Sequence, residues 1–285
     1  MNNILLLTDF SEASLHAGRY AALLTQQLRS ERLILYHAYQ VIMPLPVSDL
    51  PDSYETRPAI EDSDAVHEKS LTDLQSLYNK LRGLAFEETI MEYRSEDASL
   101  AISINDIVKE TGADLVVMAA SNVSKLERTL LGDDTIHISD NCECPVLIVP
   151  PAAQLSPVTR IVFASDLKKT QEMTPVKSLK KLLDDFEAEL LILNVKKEQD
   201  LISETPENAV VLEKWLNAYR PAFYYIDNPD PVAGITEFAR AHSASLIVVI
   251  HRNHGFWEGL FHHSTTHQLA HDTAISLLIK REHKA

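Results

Sequence analysis

The chain reads as α/β, with two doubly wound, five-stranded parallel-sheet domains in tandem. Three observations carry that reading. Short, continuous apolar runs bounded by polar turns, such as Leu115 to Met118 after Asp114, suit strands covered by helices on both faces. Between them lie stretches whose apolar residues recur at three- and four-residue steps, the signature of one buried helical side. After Pro150 the pattern starts again, with Arg160 to Asp166 (RIVFASD) repeating Asn3 to Asp9 (NILLLTD). A length of 285 residues suits two domains of ordinary size, each able to bury its own core. We divide the chain into residues 1–150, a linker at 151–157 marked by Pro150, Pro151 and Pro157, and a shortened second copy at 158–285.

In the first copy Asn3 to Thr8 is an apolar strand with Asp9 at its carboxyl end. Ser11 caps the following helix, in which Ala17, Tyr20, Ala21, Leu24 and Leu28 face inward. Leu33 to His37 is a second buried strand, completing one βαβ unit. Pro44, Pro46, Pro51 and Pro58 make Ala38 to Ala59 a long irregular loop. Val66, Leu71, Leu74, Leu77, Tyr78 and Leu81 then share one side of an acidic helix over Glu61 to Leu81, its charges forming the solvated face. Phe86 to Tyr93 is a third strand, Leu100 to Thr111 a helix stopped by Gly112, and the fourth strand follows Asp114.

That fourth strand gives way to small residues, Ala119, Ala120, Ser121 and Asn122. Gly132 then precedes Asp133, the N-cap of a short helix ending near Cys142, and Val146 to Val149 is the fifth strand. Right-handed crossovers place a ligand crevice at the strands' carboxyl ends, where Asp9 and the loop after Met118 both stand. A helix start beside such an end offers free N–H groups and a positive dipole end, which suits a phosphate.

In the second copy Thr174 and Pro175 open a helix with Val176, Leu179, Leu183 and Phe186 inward. Leu190 to Asn194, Ser245 to Ile250 and Ser276 to Ile279 match the second, fourth and fifth strands of the first. Asp9 and Asp166 stand 157 positions apart but Asp114 and Ser245 only 131, so the second copy lacks about 26 residues, chiefly around the proline loop and second helix.

Composition narrows the function. The net charge of −15 is uneven: residues 1–150 hold 11 Lys+Arg against 24 Asp+Glu, the remainder 15 against 17. So acidic a surface repels nucleic acid phosphate. No apolar run approaches the roughly 20 residues needed to span a bilayer, and Met1 leads directly into a strand without a signal core, so we expect a cytoplasmic protein with no membrane partner. Cys142 and Cys144, the only cysteines, fit reduced structural thiols better than a zinc site or a disulfide. No nucleophile–base–acid set, Walker loop or glycine-rich loop occurs, and Gly-x-Ser-x-Gly is absent.

The stretch from Ala113 to Thr135, followed by Pro145 to Val149, resembles the last third of a universal stress protein domain, and the resemblance extends over nearly the whole chain as a tandem of two Rossmann-like copies. Nucleotide-binding members of that family end the fourth strand in glycine, then carry two residues, a second glycine, nine residues, and Gly-Ser or Gly-Thr. Here those positions hold Ala119, Asn122, Gly132 and Asp133; in the second copy they hold Ile250, Asn253, His263 and Ser264. The resemblance implies that Asp9 and Ala38 stand near an adenine base, that Asn122, Gly132 and Asp133 stand near sugar and phosphates, and that Asp166 is the counterpart of Asp9. The residue-level alternative is that Asp9 and Asp166 cap local backbone N–H groups in the turn after their strands.

The glycines are lost, and Asp133 opposes a phosphate. A carboxylate about 4 Å from a phosphate charge costs about 4 kcal/mol at an effective dielectric near 20, a sign that a divalent cation between them would reverse. The expected role is therefore a non-enzymatic stress-response sensor or interaction module with a degenerate nucleotide site. The alternative is an adenine-nucleotide binder with magnesium and slow ATP hydrolysis in the first copy. A third reading uses the histidines crowded into residues 251–271: His263, His267 and His271 fall at four-residue steps and could share a zinc-like ion on one helical face. The expected partners are the chain itself, as an internal pseudo-dimer through the two fifth strands or a homodimer, and other proteins.

Overall fold

The structure, a computed structural model, describes residues 1–40, 63–120, 132–165, 176–196, 205–251 and 274–281. The first copy runs β1 (Asn3–Leu7), α1 (Glu12–Leu28), β2 (Arg32–Tyr39), α2 (Ser63–Leu81), β3 (Ile90–Asp97), α3 (Leu100–Thr111), β4 (Leu115–Ala119), α4 (Gly132–Asn141) and β5 (Val146–Val149). The second runs β6 (Arg160–Ala164), α5 (Val176–Phe186), β7 (Glu189–Lys196), α6 (Thr205–Leu216), β8 (Ala222–Asp227), α7 (Pro231–Ala241), β9 (Leu246–His251) and β10 (Ser276–Arg281).

All ten strands form one sheet in the order β3-β2-β1-β4-β5-β10-β9-β6-β7-β8. Every pairing is parallel except the central one, where β10 runs antiparallel to β5 with Leu277 opposite Ile148, Leu278 opposite Leu147 and Ile279 opposite Val146. The continuous apolar runs follow from this burial. Ile4, Leu6, Leu115 and Val117 pack toward α1 and α2, whereas Leu5, Leu7, Val116 and Met118 pack toward α3 and α4. Each cluster continues through the second copy, so both faces of the sheet are covered from one copy to the other.

Local chemistry explains the boundaries. Ser11 caps α1 by accepting from the Ser14 N–H. Gly112 ends α3 at φ 63°, in the left-handed region that an L side chain resists. In the second copy the Asp230 carboxylate caps α7, accepting from the Val232 and Ala233 N–H groups, with Pro231 as first helical residue. The missing length of the second copy lies where the offsets put part of it: α2 spans 19 residues and α6 only 12.

Two expectations are corrected. The third strand is Ile90–Asp97, not Phe86 to Tyr93: a 3-10 turn at Arg82–Leu84 and a bond from the Thr89 N–H to the Phe86 carbonyl hold the preceding residues, and β3 pairs with β2 from Arg32–Ile90 to Tyr39–Asp97. Its polar carboxyl half, Arg94 to Asp97, conceals it in the sequence because β3 is an edge strand. Secondly, α4 begins at Gly132, which places Asp133 inside the first turn rather than at the cap. The proline loop beyond Tyr39 and the Thr174–Pro175 cap lie outside the described residues.

The internal repeat extends to hydrogen bonds. Asp114 Oδ2 accepts from the N–H groups of Asn2 and Asn3, tying the start of β4 to the start of β1. Ser245 Oγ accepts from Thr159 and Arg160 in the same way at β9 and β6. Helix α1 fastens the copies together: the Gln27 amide donates to the Val158 and Phe186 carbonyls and accepts from the Val158 N–H, and His16 Nε2 bonds the Ala153 carbonyl. The Met1 ammonium pairs with Asp185 at 2.8 Å.

Partial burial pushes the Asp114 carboxyl up, but the Asn2 and Asn3 N–H groups and the Lys181 ammonium outweigh it and hold it below the ordinary 3.8. A lowered folded pKa means stability that is full above the unfolded value and is lost as pH falls through the folded one. Asp114→Ala should therefore cost about 1–2 kcal/mol in urea unfolding at pH 7, and the gap from the wild type should narrow below about pH 4.

Candidate functional site

The order in which strands are added reverses at β1, which pairs in parallel with β2 on one side and β4 on the other. Such a switch point opens a crevice at the carboxyl ends of the two central strands. The register of Leu6 with Val117 sets Thr8 level with Ala119, the last and half-buried residue of β4. Asp9 and Ala119 thus stand at the same end of the neighbouring strands β1 and β4. Ala38 joins them from β2, which overhangs its ladder with β1: that ladder stops at Leu7–Tyr36, while pairing with β3 continues to Tyr39.

Asp9 is engaged in its own turn. Its Oδ1 accepts from the Ser11 N–H at 3.0 Å and from the Ser11 hydroxyl at 2.6 Å. With its O–H donating a hydrogen bond to Asp9, the Ser11 oxygen presents lone pairs to the Ser14 N–H at 3.1 Å. The carboxylate thereby orients the cap of α1. Partial burial raises its pKa, but the bonds from Ser11 prevail and hold it below the ordinary 3.8, so it stays ionised at neutral pH.

Around Asp9 sits a group that the sequence reading missed. Phe10 adopts φ 64°, rare for a bulky side chain, and its ring lies 4.5 Å from that of His37, centroid to centroid. The Phe10 N–H donates to Thr8 Oγ1, and His37 Nδ1 lies 2.7 Å from the Thr8 carbonyl. A carbonyl only accepts, so Nδ1 carries the proton. The second copy repeats the tie: Asn194 Nδ2 donates to the Ser165 carbonyl at 2.8 Å from the corresponding place in β7. The Asn194 Oδ1 is buried and has no donor among the described residues. A polar residue directly after an apolar run, Thr8, His37, Ser165 or Asn194, was the available signal.

Gly132 and Asp133 stand in the first turn of α4. Asn122, Asp166, Ser264, His263, His267 and His271 lie outside the described residues. Among the described residues no three His, Cys, Asp or Glu side chains cluster closely enough to hold a metal, and no helix is long and apolar enough to cross a membrane. Cys142 and Cys144 are both buried and free, their sulfurs 3.5 Å apart.

A model of the universal stress protein family matches residues 1–150 and 157–281. The chain belongs to the universal stress protein family. A universal stress protein of Methanocaldococcus jannaschii is 28% identical over 148 residues, which cover 51% of this chain and 80% of that one. The crystal structure of a universal stress protein from Archaeoglobus fulgidus superposes with a TM-score of 0.68 at 18% identity, covering 99% of this chain and 96% of the other. A functionally unknown protein from Pseudomonas aeruginosa gives 0.60 at 17%, covering 99% and 93%. The cytoplasmic domain of a prokaryotic cation chloride cotransporter gives 0.53 at 11%, covering 98% and 94%. Likeness at these identities is one of fold, and a fold shared so widely does not specify chemistry.

In this universal stress protein the β1 turn is held by Thr8, Phe10 and His37 together. His37→Ala should lower stability by about 1–2 kcal/mol, since it frees the Thr8 carbonyl and removes the ring contact. Phe10→Gly should cost less in the same denaturation experiment, because glycine accepts the positive φ without strain.

Proposed function

We propose that this universal stress protein acts in the cytoplasm as a non-enzymatic sensor or interaction module, with residues 1–150 and 158–285 as its two domains and a degenerate nucleotide crevice in the first. The observation that carries the reading is the Ser11 hydroxyl bound to Asp9 Oδ1 at 2.6 Å. That bond gives Asp9 a structural task at the cap of α1 whether or not a ligand arrives. The sequence adds Ala119 and Asn122 where nucleotide-binding relatives carry glycine, and the Asp133 carboxylate beside the phosphate position.

The second reading is adenine-nucleotide binding in the first copy, with magnesium and slow ATP hydrolysis. It is favoured by one observation: the crevice retains its place, with Asp9, Ala38 and Ala119 at the ends of β1, β2 and β4. Magnesium would have to lie between Asp133 and the phosphates.

Native mass spectrometry of the purified chain with millimolar magnesium-ATP separates the two. The proposal predicts no stoichiometric adduct. One ATP per chain, lost without magnesium and in Asp9→Ala, would overturn it in favour of the nucleotide reading. The same spectra report whether whole chains associate, which the pairing of β5 with β10 leaves to other surfaces.

A further inference from the structure

Cys142 and Cys144 stand two residues apart in the turn between α4 and β5, both buried and both free. Their sulfurs lie 3.5 Å apart. The backbone that carries them is fastened from several directions. The Asn105 side chain on α3 donates through Nδ2 to the Asn141 carbonyl at 2.9 Å and accepts through Oδ1 from the Glu143 N–H at 2.9 Å. The Cys142 N–H bonds the Ile138 carbonyl at 2.8 Å, and Lys280 Nζ on β10 donates to the Glu143 carbonyl at 2.8 Å. The turn is thus held from its own copy and from the other, with the two thiols converging. A disulfide needs the sulfurs about 2.05 Å apart, a further approach of about 1.5 Å that lies within the reach of side-chain rotation.

One of the two thiols can be reached. Cys144, 9% exposed, lines a cavity of about 310 Å³ between the copies, and Lys181, whose side chain is 61% exposed, lines it too. Cys142 is only 1% exposed. The charges around the cavity are mixed. Asp114 accepts from the Asn2 and Asn3 N–H groups and faces Lys181 at 3.6 Å, while the Met1 ammonium pairs with Asp185. Lys280 and Glu143 act on the sulfurs with opposite sign. The hydrogen bond from Cys144 favours loss of the first proton from Cys142 more than burial opposes it; Lys280 adds to that and Glu143 subtracts, which leaves the thiol below its ordinary 9.0. The second proton is held well up, by its bond to the first sulfur, by burial and by the thiolate charge. Either sulfur can donate to the other, so the pair shares one proton and thiolate character extends to Cys144 at the cavity wall.

We propose that Cys142 and Cys144 form an oxidisable dithiol site, which a small peroxide entering the inter-copy cavity converts to an intramolecular disulfide. The Cys144 thiolate attacks one peroxide oxygen, forming an S–O bond and breaking O–O, and the departing hydroxide takes a proton and leaves as water. The Cys142 sulfur then attacks the sulfenic sulfur, forming the S–S bond and expelling a second hydroxide, which leaves as water with the remaining thiol proton. Two thiols and one hydrogen peroxide give one disulfide and two waters; the sulfurs lose two electrons and the peroxide gains them. A dithiol reductant reverses the change by thiol–disulfide exchange. This site lies apart from the nucleotide crevice and stands whichever reading of that crevice holds.

Intact mass spectrometry tests it on the full-length chain, reduced, freed of reductant and exposed while folded to submillimolar hydrogen peroxide, with N-ethylmaleimide added after unfolding to count free thiols. A loss of about 2 Da is expected, located in the peptide that holds both cysteines, with neither alkylated and both recovered by dithiothreitol. Cys142→Ala should stop at a Cys144 sulfenic acid that dimedone traps, whereas in Cys144→Ala the remaining thiol should react at least about tenfold more slowly, since it is the less accessible of the two. Thermal melts establish that the variants are folded, and the wild-type result decides the matter should either fail to fold. Thiols that still alkylate after peroxide treatment, a linkage between chains, sulfinic acid in place of the disulfide, or a folded Cys144→Ala that reacts as fast as Cys142→Ala would each overturn the proposal.

Discussion

The fold depends on one antiparallel contact between two strands that would otherwise be raw edges. β5 and β10 are short, wholly apolar over their shared register and at most 1% exposed there. An unpaired strand of that composition would present a row of free N–H and C=O groups to any neighbouring chain. Pairing them inside one molecule closes both edges at once. The remaining edges, β3 and β8, bear Arg94, Glu96 and Asp97 on one side and Tyr225 and Asp227 on the other, residues that discourage further strand addition.

Antiparallel pairing also decides where ligands can go. All strands of the first copy point one way and all strands of the second the other, so the two carboxyl-end crevices open at opposite ends of the sheet. The carboxyl end of β9 therefore meets the amino end of β4, and the space between them is walled by both copies. A single copy would lack the joint cavity, whose walls come from both. Gln27, His16 and the Met1 ammonium fasten the copies around that joint.

Much of this was legible in the sequence. Uniformly apolar runs gave the central strands nearly residue for residue, because strands buried on both faces tolerate little else. The match of Asp9 with Asp166 and of Asp114 with Ser245 marked the repeat, and the bonds made by Asp114 and Ser245 supply a physical reason for the second: each fastens the fourth strand to the first. Edge strand β3 was misplaced by four residues because half of it is polar. The site was less legible. That Asp9 sits at a crevice follows from topology, but the φ of 64° at Phe10 and the tie from His37 to the Thr8 carbonyl are three-dimensional facts without a periodic signature. Lys280 reads as an ordinary charged residue near the end of a strand until the other copy is placed beside it.

The central claim is that the two copies share one continuous sheet, and amide hydrogen exchange at β5 and β10 tests it most directly. If the pairing holds in solution, the amides of Ile148, Leu277 and Ile279 exchange as slowly as those of β1 and β6 and far more slowly than those of the edge strands β3 and β8. Exchange of β5 and β10 at edge-strand rates would contradict it and would dissolve the joint cavity together with the shared sheet.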